Sequence, residues 1–121
     1  MNKLNKIKQL LELNYNFKGN KYEYFPKTNK ELKELVNNLI KKYGNKVNLN
    51  IINVSNINDF NNIFLGMYKF NGDVSEWDIS NGLYFNNMFY ECYKFNSNLT
   101  FWDVSNAKNF NNIFYECYIF N

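Results

Sequence analysis

Between Thr28 and Gly44, apolar residues recur at Leu32, Leu35, Val36, Leu39, Ile40 and Tyr43, separated by Lys, Glu and Asn. Steps of three and four place all six on one stripe of a helix, so the pattern predicts an amphipathic helix over about 29–43 that buries them. Its ends are marked too. Thr28 and Glu31 form a capping box, Lys41 and Lys42 stand where the helix dipole favours cations, and Gly44 supplies a left-handed stop. A shorter stripe, Leu4, Ile7, Leu10 and Leu11, predicts a helix over 3–13. Alternation over 21–25 predicts a short strand, paired with Tyr15–Phe17 across Lys18-Gly19-Asn20 and ended by Pro26.

Beyond residue 48 the pattern repeats. Phe60-Asn61-Asn62-Ile63-Phe64 returns as Phe85-Asn86-Asn87-Met88-Phe89 and again as Phe110-Asn111-Asn112-Ile113-Phe114, 25 residues apart each time. Trp77-Asp78-Ile79-Ser80-Asn81 returns as Trp102-Asp103-Val104-Ser105-Asn106, with a degraded copy at 52–56. Residues 73–96 and 98–121 share 14 identities in 24 positions. A fixed period in the twenties predicts a solenoid, because one such unit cannot bury its apolar face alone and must stack on the next.

The repeats run 48–72, 73–97 and 98–121. Alternation at 77–79 and 102–104 predicts a short strand with Trp and the branched residue inward. Phe85, Met88, Phe89 and Cys92 fall at i, i+3, i+4 and i+7, which predicts a short helix or 3₁₀ turn over 84–92, and likewise over 59–67 and 109–117. The expected fold is an α/β repeat solenoid of short parallel strands and short helices. Residues 1–47 form an N-terminal region whose helix caps the first coil. The expected repeat core is Phe60, Phe64, Trp77, Phe85, Phe89, Cys92, Trp102, Phe110, Phe114 and Cys117.

Composition changes the picture in two ways. The 121 residues, one domain's worth, include 27 Asn, 14 Lys, 12 Phe and 10 Tyr, against one Ala, one Pro, no Arg and no His. These abundant residues share adenine- and thymine-rich codons, so an AT-rich genome accounts for much of the Asn. The net charge of +3 also hides a division. Residues 1–47 carry eleven Lys and four Glu (+7), and residues 48–121 carry three Lys and seven acids (−4). A basic front could meet nucleic acid or an acidic surface. Without Arg for bidentate contacts, a solvated Lys-rich face is the better reading.

The run from Phe70-Asn71-Gly72-Asp73-Val74-Ser75-Glu76-Trp77-Asp78-Ile79-Ser80-Asn81 to Asn87-Met88-Phe89 resembles the repeat of the BspA-like leucine-rich-repeat surface proteins of bacteria. Residues 48–121 carry the resemblance, and 25–50 look like the helix that often precedes such repeats. After Ser-Asn, where that family has Val-Thr, this chain has Ile57-Asn58, Gly82-Leu83 and Ala107-Lys108. The resemblance implies a leucine-rich-repeat-like, right-handed coil and a role in adhesion or protein binding. It also implies display at the cell surface. The sequence itself has no run of 7–15 apolar residues for a signal peptide and no membrane span, which points instead to the cytoplasm.

Candidate chemistry is sparse. Cys92 and Cys117 share a column with Met67, which reads as a buried apolar slot holding reduced thiols. Two Cys without His make no metal site. Asp78 and Asp103 stack beside the Trp column with Asn53 below, so they either form a binding face or bond their own Ser-Asn turns. The columns headed by Asn61 and Asn62 read as amide ladders. With no His, no Arg and no glycine-rich phosphate loop, no catalytic residue or cofactor is expected. The expected function is a non-enzymatic protein-interaction or adhesion module. The alternatives are a truncated piece of a larger repeat protein, self-associating through its open last coil, and a Lys-mediated nucleic-acid or acidic-surface binder through residues 1–47.

Overall fold

The computed structural model describes Lys3 and residues 21–121. Apart from Lys3, the predicted helix over 3–13 and the strand partner Tyr15–Phe17 lie outside the described residues. The predicted strand over 21–25 is a single parallel bridge, and its partner is Ile52. Glu23 N–H donates to Ile51 O at 2.8 Å and Asn53 N–H donates to Tyr24 O at 2.8 Å.

Helix α1 spans Asn29–Tyr43. Thr28 Oγ1 accepts from Glu31 N–H at 3.1 Å, while the Glu31 carboxylate takes Lys27 N–H at 2.8 Å. The reciprocal half of the capping box thus reaches one residue further back than expected. Gly44, at φ 96°, ends α1 and its N–H donates to Ile40 O at 2.7 Å. Leu32, Val36 and Leu39 are buried, and Leu35 and Ile40 pack partly against the core. Tyr43 departs from the expected stripe. It is 59% exposed, because the last turn finds no core beneath it, and Lys42 Nζ sits 5.2 Å from its ring centroid. At the opposite end of α1, Asn29 Nδ2 donates to Asp59 O and Asn61 O, both at 2.9 Å. The helix therefore closes the upper edge of the first repeat with side-chain amide hydrogens.

The segments 59–67, 84–92 and 109–117 are not helices. In a helix each N–H would bond four residues back. Here every second N–H leaves for the next repeat: Phe85 to Asn109 O (2.9 Å), Asn87 to Asn111 O (2.9 Å), Phe89 to Ile113 O (3.0 Å) and Glu91 to Tyr115 O (2.7 Å). The amides between them close tight turns, Met88 to Phe85 O, Tyr90 to Asn87 O and Cys92 to Phe89 O, and Asn86 N–H goes to Asn61 Oδ1 at 2.7 Å. All eight donors of 85–92 are satisfied, as a buried backbone requires. Phe60, Asn62, Phe64 and Gly66 donate in the same way to Tyr84, Asn86, Met88 and Tyr90. Left-handed residues make this possible: Asn62, Asn87 and Asn112 (φ 65°, 57° and 55°), then Gly66, Glu91 and Glu116 (φ 72°, 58° and 57°). Two such reversals per repeat forbid a helix, yet they space inward residues by three and four as a helix would.

Nor are 77–79 and 102–104 strands. Among the described residues the strand-like pairing is limited to isolated parallel bridges at Tyr24–Ile52, Asn48–Asp73, Asp59–Tyr84 and Tyr84–Asn109. At the Trp segments the backbone turns on itself, with Trp77 N–H to Val74 O and Trp102 N–H to Leu99 O at 3.1 Å each. Side chains join the repeats there. Trp77 Nε1 donates to Leu49 O at 2.8 Å and Trp102 Nε1 to Val74 O at 3.0 Å. Asn81 and Asn106 Nδ2 donate to Ser55 O and Ser80 O at 2.8 Å.

Rings twenty-five apart lie one above another. Phe60 stacks on Phe85 at 5.2 Å and Phe85 on Phe110 at 5.6 Å; Phe64 stacks on Phe89 at 5.2 Å and Phe89 on Phe114 at 5.7 Å. Phe60, Phe64, Trp77, Phe85, Phe89 and Cys92 are buried. Trp102, Phe114 and Cys117 are part-buried, and Phe110 is 42% exposed because no ring lies beneath it. The stack leaves little slack at Gly72. A Cβ there would stand 2.5 Å from Val47 O and 2.5 Å from the Phe70 ring. Gly72→Ala is therefore expected to cost about 1–3 kcal/mol in urea unfolding, the usual range for overpacking.

Candidate functional site: an outward tyrosine–glutamate face

The second left-handed position of each repeat shapes one surface. At 65–68, 90–93 and 115–118 the turn sends the third residue inward (Met67, Cys92, Cys117) and the other three outward. The outward residues form columns. Tyr68 stacks on Tyr93 and Tyr93 on Tyr118 at 5.1 Å each, and Tyr90 stacks on Tyr115 at 4.8 Å. Tyr68, Tyr115 and Tyr118 are exposed; Tyr90 and Tyr93 are half-covered by their stacking neighbours. Between the two tyrosine columns run Gly66, Glu91 and Glu116.

Among the described residues neither glutamate has a cationic partner. Among the described residues the salt bridge is Lys21–Glu76 at 3.4 Å, on a different side chain pair altogether. The carboxylates act on the phenols instead. Partial burial in the stack, and then the charges of Glu91 and Glu116, push the hydroxyls of Tyr90 and Tyr93 above the ordinary tyrosine range. Tyr118 rises for the same reasons, and its hydrogen bond to Glu116 adds to the shift. The face therefore presents neutral phenols beside two carboxylates that no described cation pairs. Glu is also a poor choice for this backbone. A side chain in the left-handed region costs about 1–2 kcal/mol that Gly avoids, and Gly occupies the equivalent position in the first repeat.

The column of Asn53, Asp78 and Asp103, read from the sequence either as a binding face or as bonding its own turns, makes the turn bonds. Asp78 Oδ1 accepts from Ser80 N–H at 3.1 Å and from Ser80 Oγ at 2.6 Å; Asp103 Oδ1 accepts from Ser105 N–H at 2.9 Å. Asn53 Oδ1 does the same for Ser55, at 2.9 and 2.6 Å. These bonds hold Asp103 below the ordinary carboxylate range. The column fastens its own turns. Cys92 and Cys117 are free thiols, donating to Phe64 O at 3.0 Å and Phe89 O at 2.8 Å. Burial pushes the Cys92 thiol up to about 12 and raises Cys117 as well. The Asn61 column is an amide ladder, each Oδ1 taking the N–H of the Asn one repeat on (2.7 and 2.8 Å). The Asn62 column serves the backbone instead, at the left-handed positions. Among the described residues, no three His, Cys, Asp or Glu converge as metal ligands, and no helix is long and apolar enough to cross a membrane.

Reading the aromatic period as core hid the tyrosine columns. The signal that separates them is the residue type: inward columns hold residues without a hydroxyl (Phe, Trp, Met, Cys and aliphatics), whereas positions 68, 93 and 118 all hold Tyr and follow Gly or Glu by two residues.

These features define a class: a repeat protein begun by a helix and carrying aromatic columns on its outer face. The chain belongs to the family described as Mycoplasma protein of unknown function, DUF285, which matches residues 30–121. Comparison with curated proteins and with solved structures gives no match.

Proposed function

We propose that this protein is a non-enzymatic protein-interaction module, a leucine-rich-repeat-like solenoid of the BspA type, and that its Tyr–Glu face binds a partner rich in Lys and Arg. The observation that carries this reading is the pair Glu91 and Glu116, with no cationic partner among the described residues, on backbone that favours Gly, between stacked tyrosines. Charge there weakens the fold, through left-handed strain and through repulsion between carboxylates one repeat apart. A cationic partner turns that repulsion into attraction, and tyrosine supplies rigid contact area with a polar tip. Membership of DUF285 is consistent with a binding role and adds no chemistry of its own.

The test is titration with an octa-arginine peptide, using an octa-glutamate peptide as control. Glu91→Gly/Glu116→Gly is expected to weaken binding about tenfold while leaving the protein at least as stable as wild type. Binding by wild type should also fall with added salt, as screening requires. Equal affinity of the variant and wild type would refute the assignment.

A further inference from the structure

The Tyr–Glu face has a fixed step and a fixed order of columns. Its step is the spacing of the stack: Tyr68 to Tyr93 and Tyr93 to Tyr118 are 5.1 Å each, and Tyr90 to Tyr115 is 4.8 Å. Across the face, the second repeat presents Tyr90, Glu91, Tyr93 and then Lys94. The first repeat departs from this in two places, with Leu65 and Gly66 before Tyr68 and Lys69. A Cβ at Gly66 would meet nothing within 4 Å. Leu65 and Tyr68, 42% and 53% exposed, therefore frame an open apolar notch above Glu91. Lys69 and Lys94 are exposed and make no ion pair among the described residues.

A ligand for this surface must keep that step and hold its cations over the glutamates, away from the lysines. Same-face residues of an extended strand stand about 6.6–6.8 Å apart and lose register within two repeats. A helix keeps it. Seven residues rise about 10.5 Å, against two steps of 5.1 Å, and positions i, i+3 or i+4, and i+7 share one stripe. We propose that the partner's binding element is an α-helix lying along the stack, with Lys or Arg one turn apart over Glu91 and Glu116. One turn beyond, over Gly66, it carries an apolar side chain that enters the notch between Leu65 and Tyr68. This rests on the reading of the face as a site for a cationic protein, and adds the shape and spacing of the element it takes.

The test titrates the protein with three peptides of about 20 residues, long enough to form a helix in part. The first carries two Arg one turn apart, with Leu one turn to either side, in an Ala/Gln background. The second has the same composition, with both Arg on the opposite side of the helix from Leu. The third is the first with a central Pro. The first is expected to bind about tenfold more tightly than either of the others, as two charge pairs and a buried Leu allow. Glu91→Gly/Glu116→Gly should remove most of that advantage, and Leu65→Ser should weaken the first peptide about threefold. Binding of the first peptide equal to either of the others, with octa-arginine still sensitive to the two glutamates, would overturn the helix and leave the cationic reading standing. Octa-arginine insensitive to the glutamates would overturn both.

Discussion

Phe89→Ala is expected to lower stability by about 3–5 kcal/mol, the range for removing a fully buried aromatic ring. Phe89 is completely buried and sits at the crossing of two stacks. It meets Phe64 above at 5.2 Å, Phe114 below at 5.7 Å and Phe95 beside it at 4.0 Å, with Trp102 tilted against it at 6.1 Å. Truncation leaves a cavity bounded by rings that are fixed by their own stacks, so the site cannot collapse to fill it. Domains of this size are stable by about 5–15 kcal/mol, which makes the loss a large fraction of the total. Urea unfolding checks it: the midpoint should fall sharply with the slope unchanged. Phe114→Ala should cost less than Phe89→Ala, because Phe114 is already part-exposed.

Alkali is expected to destabilise the protein between pH 9 and pH 12 through Cys92. Its thiol has an ordinary value near 9.0 and is pushed up to about 12 by burial. The folded value is the higher one, so this contribution is complete below pH 9 and is lost as pH rises toward 12, where the unfolded thiol ionises and the folded one does not. Three pH units at 1.36 kcal/mol each set an upper bound of about 4 kcal/mol. Solvent penetration brings the expected loss to about 2–3 kcal/mol. The raised hydroxyls of Tyr90, Tyr93 and Tyr118 act in the same direction above pH 10. Cys92→Ser keeps a donor for Phe64 O and does not ionise in this range, so its stability should fall less between pH 9 and 11. Parallel pH profiles for the two proteins would contradict the assignment.

What the sequence made legible follows from which interactions are local. Helix α1 could be read except for Tyr43 and the reciprocal bond of its capping box, since its cap, stripe and stop lie within seventeen residues and each acts over one turn. The stacking partners Phe64, Phe89 and Phe114 could be read because identity at a fixed period marks residues that share an environment. Backbone conformation between them could not. Inward positions at i, i+3, i+4 and i+7 arise equally from a helix and from tight turns with left-handed residues at i+2 and i+6, as at Asn87 and Glu91. The frequent Asn, attributed to codon bias, contained the clue: Asn tolerates the left-handed region better than other side chains. Glu91 and Glu116 concealed the second reversal, because Glu does not announce one. For the same reason the Tyr–Glu face went unread, whereas Asp78 and Asp103, more conspicuous in the sequence, turned out to be occupied with their own turns.

Coupling across hydrogen bonds, read by long-range HNCO spectroscopy, tests the central claim most directly: that each repeat hands its alternate backbone amides to the next. Cross-peaks are expected from the nitrogens of Phe60, Asn62 and Phe64 to the carbonyl carbons of Tyr84, Asn86 and Met88, and from Phe85, Asn87 and Phe89 to Asn109, Asn111 and Ile113. Phe110, Asn112 and Phe114 should show none. Cross-peaks running four residues back within 84–92 would mean a helix there, and the stack described above would be wrong.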